Sequence, residues 1–148
     1  MEIHPDFREL LELFNEQKVD FIIVGGYALA FLGAPRATGD MDILVRPDRE
    51  NGGRIVKVLD RFGFSELGLV SEDFTKPDVV IQLGRPPGRV DLLTSISGVS
   101  WEDAFTNRVP ANYGGVPVAF LGRSQFILNK RATGRAKDLA DLEALGDK

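Results

Sequence analysis

The sequence contains no cysteine and only one histidine, His4, near its start. The absence of cysteine excludes disulfides, thiol catalysis and thiolate metal sites. A zinc site or a Ser-His-Asp triad would need more than this single histidine. Any active site must therefore be built from other residue types.

Long hydrophobic runs are also missing. The longest apolar stretch, Phe21 to Ala34, has 14 residues and is interrupted by Gly25-Gly26, whereas a membrane-spanning helix needs ~20. The first residues lack the basic start and apolar run of a secretory signal. We therefore expect a soluble cytoplasmic protein with no membrane partner.

Neither sign of charge dominates the chain. It has 18 Lys and Arg against 22 Asp and Glu, a formal net charge of −4, so bulk attraction to nucleic acid or to an anionic membrane is not expected. A length of 148 residues with 43% hydrophobic and 27% charged side chains is typical of one globular domain. We predict a single minimal domain over residues 1–148.

Hydrophobic periodicity and turn residues predict a mixed α/β protein, in which a small mixed sheet is flanked by helices. The predicted helices are 6–18, 27–32, 50–62, 101–107, 124–132 and 135–145. The predicted strands are 21–24, 41–46, 79–83, 89–94, 108–112 and 116–121. Residues 63–78 fit neither pattern.

The most informative segment is GGYALAFLGAPRATGDMD, which ends at Asp42. Alternation along a strand puts Asp40 and Asp42 on one face, with their bases ~7 Å apart, so both carboxylates could bind one magnesium ion or two adjacent ions. The alternative is structural: Asp40 ends a loop and Asp42 makes a cap or a salt bridge. The apolar residues Ile43 to Val45 follow directly. Uncompensated carboxylates so near a core are costly, which favours a metal site.

Two further features of this segment suit an anionic ligand. Gly25-Gly26 lies between a predicted buried strand and a helix, where unsatisfied amides and the helix dipole favour a phosphate; an ordinary tight turn is the alternative. Arg36 and Thr38 precede the carboxylates. Arg36 could neutralise phosphate, pair with Asp40, or be a solvated loop charge.

Asp91 lies inside the apolar run Val90 to Leu93, and a carboxylate within a strand is unusual unless it has a partner. It could join Asp40 and Asp42 from a neighbouring strand, or pair with Arg89.

The segment 123–137 is locally basic, because it carries five Lys and Arg and no acid: Arg123, Lys130, Arg131, Arg135 and Lys137. This asymmetry on an acidic protein suits a triphosphate or an RNA end better than a duplex, although a solvated helical surface explains the charge equally well. Asp138 and Asp141 are one helical turn apart and face the same way. They could pair with these basic residues or belong to the site.

These motifs resemble a known family. The strand followed by Gly25-Gly26 and a helix, and then RATGDMD at the start of a strand, looks like the nucleotidyltransferase fold of the DNA polymerase beta superfamily. GGYALAFLGAPRATGDMDILV is similar to the AbiEii-type nucleotidyltransferases of abortive-infection and toxin–antitoxin systems. The tail NKRATGRAKDLADLEAL resembles the same branch. One departure is that many superfamily members have Gly-Ser where this chain has Gly25-Gly26.

The resemblance implies a role for each motif. Gly25 and Gly26 would hold the triphosphate of an NTP, with Arg36 and Thr38 beside them. Asp40, Asp42 and Asp91 would be the catalytic carboxylates and would bind Mg²⁺ or Mn²⁺. Lys130 would contact phosphate or base, and Asp138 would complete the nucleotide-binding set.

The implied activity is transfer of a nucleoside monophosphate from an NTP to a hydroxyl acceptor, either a tRNA end or a protein side chain. A toxin–antitoxin role would add an antitoxin partner, and a homodimer is also compatible. The main alternative is a catalytically silent nucleotide-binding or interaction module. A third hypothesis is an α/β domain in which the acids are purely structural.

Overall fold

The computed structural model describes residues 3–34, 39–85 and 88–146. Its helices are α1 (Pro5–Glu16), α2 (Gly25–Phe31), α3 (Arg49–Arg61), α4 (Trp101–Thr106), α5 (Arg123–Thr133) and α6 (Ala136–Ala144). Its strands are β1 (Phe21–Val24), β2 (Met41–Val45), β3 (Val80–Leu83), β4 (Val90–Leu93), β5 (Val109–Tyr113) and β6 (Val116–Phe120). The mixed α/β class is confirmed, and each predicted element lies within two residues of its expected bounds. Two short 3-10 turns, Ser65–Leu67 and Ser71–Phe74, occupy the ambiguous segment 63–78.

The six strands form one mixed sheet in the order β3-β4-β2-β1-β6-β5. β2 is antiparallel to β1 and parallel to β4, whereas β1 is parallel to β6. The outer strands β3 and β5 each pair antiparallel with their neighbour. As a result, the end of β1 and the starts of β2 and β4 meet at one edge of the sheet.

The central strand β2 is covered on both faces. Ile43, Leu44 and Val45 are consecutive and all nearly inaccessible to solvent. Because successive side chains of a strand point to opposite faces, burial of all three requires cover on each side. β2 is therefore a rigid support for the residues at its start.

The first helix follows its sequence pattern closely. Nδ1 of His4 accepts a hydrogen bond from the backbone N–H of Asp6 at 3.2 Å and so caps α1, while Pro5 occupies its first turn. The apolar stripe of this helix is buried in the core: Phe7, Leu10, Leu11 and Phe14. α1 packs on α3 and β6.

A buried asparagine clamps the far end of the β1–β2 pair. Asn51 is fully buried in α3, and its Oδ1 accepts a hydrogen bond from the backbone N–H of Asp20 at 2.8 Å. Its Nδ2 donates to the carbonyls of Asp20 and Arg46, at 3.0 and 3.1 Å. These bonds join the residue before β1, the residue after β2 and α3, at the end opposite Asp42.

Among the helices that the structure describes, none has both the length and the apolar character needed to cross a membrane.

Candidate active site

The parallel pairing of β2 and β4 brings two predicted site residues side by side. Asp42 lies directly opposite Asp91 in the register, and Val24 lies opposite Asp42 on the other side. Both acids stand second in their strands, so both are at the same edge of the sheet. Residues about 50 positions apart in the chain are therefore neighbours.

Asp40 joins this pair through Arg89. Nη2 of Arg89 lies 3.1 Å from Oδ2 of Asp40, and Nε lies 2.9 Å from Oδ1 of Asp91. Nη2 also donates to Oδ2 of Asp91 at 3.2 Å. Asp91 thus pairs with Arg89 and lies opposite Asp42, while its part in a metal site stays a prediction.

The bridging role of Arg89 is the feature that the sequence analysis missed. The sequence suggests a pair between Arg89 and Asp91, but not the simultaneous contact of Arg89 with Asp40. The contact between Arg89 and Asp40 can be inferred once the register of β2 and β4 is known. Because Met41 is opposite Val90, the next residue back on each side, Asp40 and Arg89, also meet. An R-x-D segment thus faces a D-x-D segment.

Gly25 lies against the carboxylate of Asp42. A Cβ added to Gly25 would be only 2.3 Å from Oδ2 of Asp42, and the residue has a φ of +67°. Both the close approach and the left-handed backbone require glycine. This conformation turns the chain directly from β1 into α2, which is why the helix begins at Gly25 rather than at the predicted Tyr27. Gly26 follows as the second, half-buried residue of α2.

The clustered acids leave excess negative charge at this edge. Burial, with the charges of Asp91 and Asp40 as further causes, raises the pKa of the Asp42 carboxyl to about 6. Lys130 and Lys137 act in the opposite direction, so the basic segment of α5 and α6 is close enough to influence the site electrostatically. A site of this charge favours a bound cation.

The chemistry of these acids fits an oxygen-preferring divalent cation. Oδ1 of Asp91 is buried and accepts no well-aligned hydrogen bond from the described residues, although Nε of Arg89 is near it. Carboxylate oxygens are the ligands that Mg²⁺ prefers. In the arrangement seen here, no three His, Asp or Glu side chains of the described residues are gathered closely enough to hold an ion. Arg89 lies between two of the acids instead.

Lys130 lies in a buried ion cluster between α5 and α6. Its Nζ is 3.3 Å from Oδ1 of Asp138 and 3.4 Å from Oδ2 of Asp141, and the side chains are only 10%, 0% and 4% exposed. The basic residues thus include a partner for Asp138 and Asp141, one of the two possibilities left open by the sequence. Asp138 also accepts a hydrogen bond from Nε of Arg135 at 2.8 Å. That bond, together with Lys130, holds the pKa of the Asp138 carboxyl well below its usual range.

Two predicted nucleotide-binding residues, Arg36 and Thr38, lie outside the described residues.

Comparisons with known proteins identify the fold. No protein-family profile and no curated protein sequence matches the chain. Several solved structures are similar in fold, among them the following three. The Thermotoga maritima protein TM1012, provisionally assigned as a nucleotidyltransferase, has 16% identity and a TM-score of 0.57, over 98% of this chain and 93% of that one. An antigenic nucleotidyltransferase-like protein from Paracoccidioides brasiliensis has 21% identity and a TM-score of 0.52, over 94% and 72% of the two chains.

The third similar structure is the lincosamide antibiotic adenylyltransferase LnuA bound to lincomycin. It has 13% identity and a TM-score of 0.50, over 99% of this chain and 98% of that one. At these identities the likeness shows the fold alone. The chain therefore has the nucleotidyltransferase fold, as the resemblance implied.

The raised pKa of Asp42 predicts a stability gain for Asp42→Asn in metal-free protein. Between the ordinary pKa of 3.8 and the folded value of about 6, ionisation increasingly disfavours the folded state. The variant should exceed the parent by about 1–2 kcal/mol in free energy of unfolding at pH 7.5, and the difference should vanish near pH 4. Urea titrations across this pH range measure it. Asp60→Asn, an exposed change on α3, is the control; an equal gain there would contradict the assignment.

Loss of the buried charge at position 138 should destabilise the protein. Asp138→Asn leaves Lys130 with Asp141 as its remaining acid and removes the charged acceptor of Arg135, so it should cost about 2 kcal/mol at pH 7. Arg135→Ala should cost much less, because that side chain is 66% exposed.

The same cluster predicts a pH dependence. A carboxyl whose folded pKa is lowered stabilises the fold above its unfolded pKa, and the contribution is lost as the pH falls through the folded value. The gap between the parent and Asp138→Asn in denaturant titrations should therefore narrow only in strong acid. A gap that closed as the pH rose would contradict this.

Proposed function

We propose that this protein is a metal-dependent nucleotidyltransferase that moves a nucleoside monophosphate from an NTP to a hydroxyl acceptor. The observation that carries the proposal is the convergence of Asp40, Asp42 and Asp91 at one sheet edge, where burial and mutual repulsion raise the pKa of Asp42. The nucleotidyltransferase fold supports the same activity.

The three acids would hold Mg²⁺ or Mn²⁺, for which carboxylate oxygens are suitable ligands. A divalent cation bound there would neutralise phosphate charge and orient the attacking and leaving oxygens. Asp42 belongs to β2 and Asp91 to its parallel neighbour β4, so the sheet fixes the relative positions of these two, while Asp40 immediately precedes β2.

The nucleotide would lie over the junction of β1 and α2. Gly25 and Gly26 present no side chain there, so a triphosphate can approach the backbone. Arg36 and Thr38 complete the proposed contacts. Lys130 contributes positive charge toward the same edge, since it lowers the pKa of Asp42. Asp138, which is fully buried, would act by holding Lys130 in place.

In the proposed transfer, the acceptor hydroxyl oxygen forms a bond to the α-phosphorus of the NTP. The bond from that phosphorus to the oxygen bridging to the β-phosphate breaks, and pyrophosphate leaves with the electron pair. The hydroxyl proton passes to a carboxylate oxygen of Asp91. Catalysis of this kind depends on positioning and charge neutralisation rather than on a covalent intermediate.

The proposed acceptor is a tRNA end or a protein side chain, and the AbiEii-like motifs suggest a toxin–antitoxin component with an antitoxin partner or a homodimeric form. LnuA is named for adenylyl transfer to an antibiotic. A small hydroxylated molecule is therefore worth testing beside RNA and protein. An adjacent reading frame for a small antitoxin-like protein would support the toxin–antitoxin proposal.

A catalytically silent module is the second candidate. The favouring observation is that Arg89 already forms ion pairs with two of the three acids in this structure. Such a module would bind metal and NTP without transfer. Incubation with labelled NTPs and cell RNA, cell protein or small hydroxylated compounds distinguishes the two, because only the enzyme transfers label.

Mg²⁺ or Mn²⁺ should raise the melting temperature of the parent protein, because an ion bound only by the folded state stabilises it by mass action. Asp42→Asn and Asp91→Asn should each lose most of this rise and should transfer no label. Thermal melts with and without metal, in the presence and absence of NTP, measure the effect. Asp60→Asn should behave like the parent. A parent indifferent to both metals under all conditions would overturn the proposed mechanism.

Gly26→Val should abolish NTP binding, because the added side chain blocks phosphate approach at the β1–α2 junction. Calorimetry with a non-hydrolysable NTP and magnesium measures the affinity, and a circular dichroism spectrum and melt verify that the variant is folded. Unchanged NTP affinity in a folded variant would remove the phosphate role from this residue.

A further inference from the structure

The side chain of Arg89 lies between two acids of the candidate site. Its guanidinium contacts Asp40 and Asp91, two of the three acids proposed to hold the metal. The side chain is 27% exposed, compared with 31% for Asp40 and 12% for Asp91. The guanidinium and Asp40 are thus both partly solvated, whereas Asp91 is held within β4.

The third acid is left without such a partner. Among the residues that the structure describes, no cation forms an ion pair with Asp42, although Asp42 lies directly opposite Asp91 in the register. A single positive charge therefore does not satisfy this site. A divalent ion carries twice the charge and can take oxygens from all three acids at once.

We propose that Arg89 is an internal counter-ion, which holds the place of the divalent cation between Asp40 and Asp91 in the metal-free protein and is displaced when the metal binds. This inference rests on the proposed function. The guanidinium moves out to solvent on its flexible stem, and the ion exchanges for it with no covalent change. Arg89 therefore weakens metal binding while protecting the empty site from repulsion among its acids.

The matched comparison within this chain is Arg46. It also bridges two acids, lying 2.5 Å from Asp20 and 2.6 Å from Asp48, and is similarly exposed at 32%. These acids lie at the opposite end of the β1–β2 pair. Removing Arg46 should change stability without changing metal affinity.

The test measures Mn²⁺ affinity by calorimetry, without nucleotide, in the parent, Arg89→Gln, Arg89→Lys and Arg46→Gln. Arg89→Gln should bind Mn²⁺ about tenfold more tightly, since a competing ion pair of modest strength is removed. Arg89→Lys keeps the charge and should remain near the parent, as should Arg46→Gln. The rise in melting temperature with Mn²⁺ should be largest in Arg89→Gln.

The outcomes separate the two proposals. Equal or weaker Mn²⁺ binding by Arg89→Gln, with clear binding by the parent, overturns the counter-ion role and leaves the proposed function standing. No binding by any variant overturns the proposed function and this inference together.

If Arg89→Gln does not fold, the parent alone decides. In ¹⁵N-labelled parent protein, the NMR signal of the Arg89 Nε–H group is assigned by its loss in Arg89→Lys. Mg²⁺ takes the place of Mn²⁺ in this experiment because it is diamagnetic. The Nε–H proton should exchange with water faster in Mg²⁺-saturated protein than in metal-free protein. An unchanged or slower exchange rate would show that the guanidinium stays with its acids and would overturn the inference.

Discussion

The parallel register between β2 and β4 is the constraint on which the candidate site depends. It sets Asp42 directly opposite Asp91 and, two residues further out, brings Asp40 to Arg89. A shift of one residue would send one acid to the other face of the sheet, because side chains alternate. In the observed register, Ile43 and Leu44, which follow Asp42, lie opposite Leu92 and Leu93 of β4. Core packing and site geometry are thus fixed by the same pairing.

The basic residues around the site differ in how they interact with its acids. Arg89 contacts the acids directly, whereas Lys130 is held by Asp138 and Asp141 and influences Asp42 through space. The first is partly exposed and the second is nearly inaccessible. A partly exposed side chain can exchange its partner for an ion at modest cost, but a buried one cannot leave its acids without leaving charge uncompensated.

Much of this arrangement could be predicted from the chain, and the reasons are specific. Strands such as 21–24 and 41–45 have apolar runs bounded by glycine, proline or charged residues, so their local signal is strong. The resemblance carried by the segment from Gly25 to Asp42 predicted the nucleotidyltransferase fold. The bridge from Arg89 to Asp40 was not predictable, because it depends on which strands are neighbours and in what register. The ambiguous segment 63–78 has no period, since its short 3-10 turns are too brief to show one.

The separation of Asp42 and Asp91 along the chain also governs how the sheet is assembled. Pairing β2 with β4 closes a loop of about 50 residues, and such non-local contacts form slowly because the entropy of closure precedes any gain. Repulsion between the approaching carboxylates opposes the same closure. Arg89 is two residues from Asp91 and immediately precedes β4. The acid that creates the repulsion and the guanidinium that relieves it are therefore brought to the sheet together.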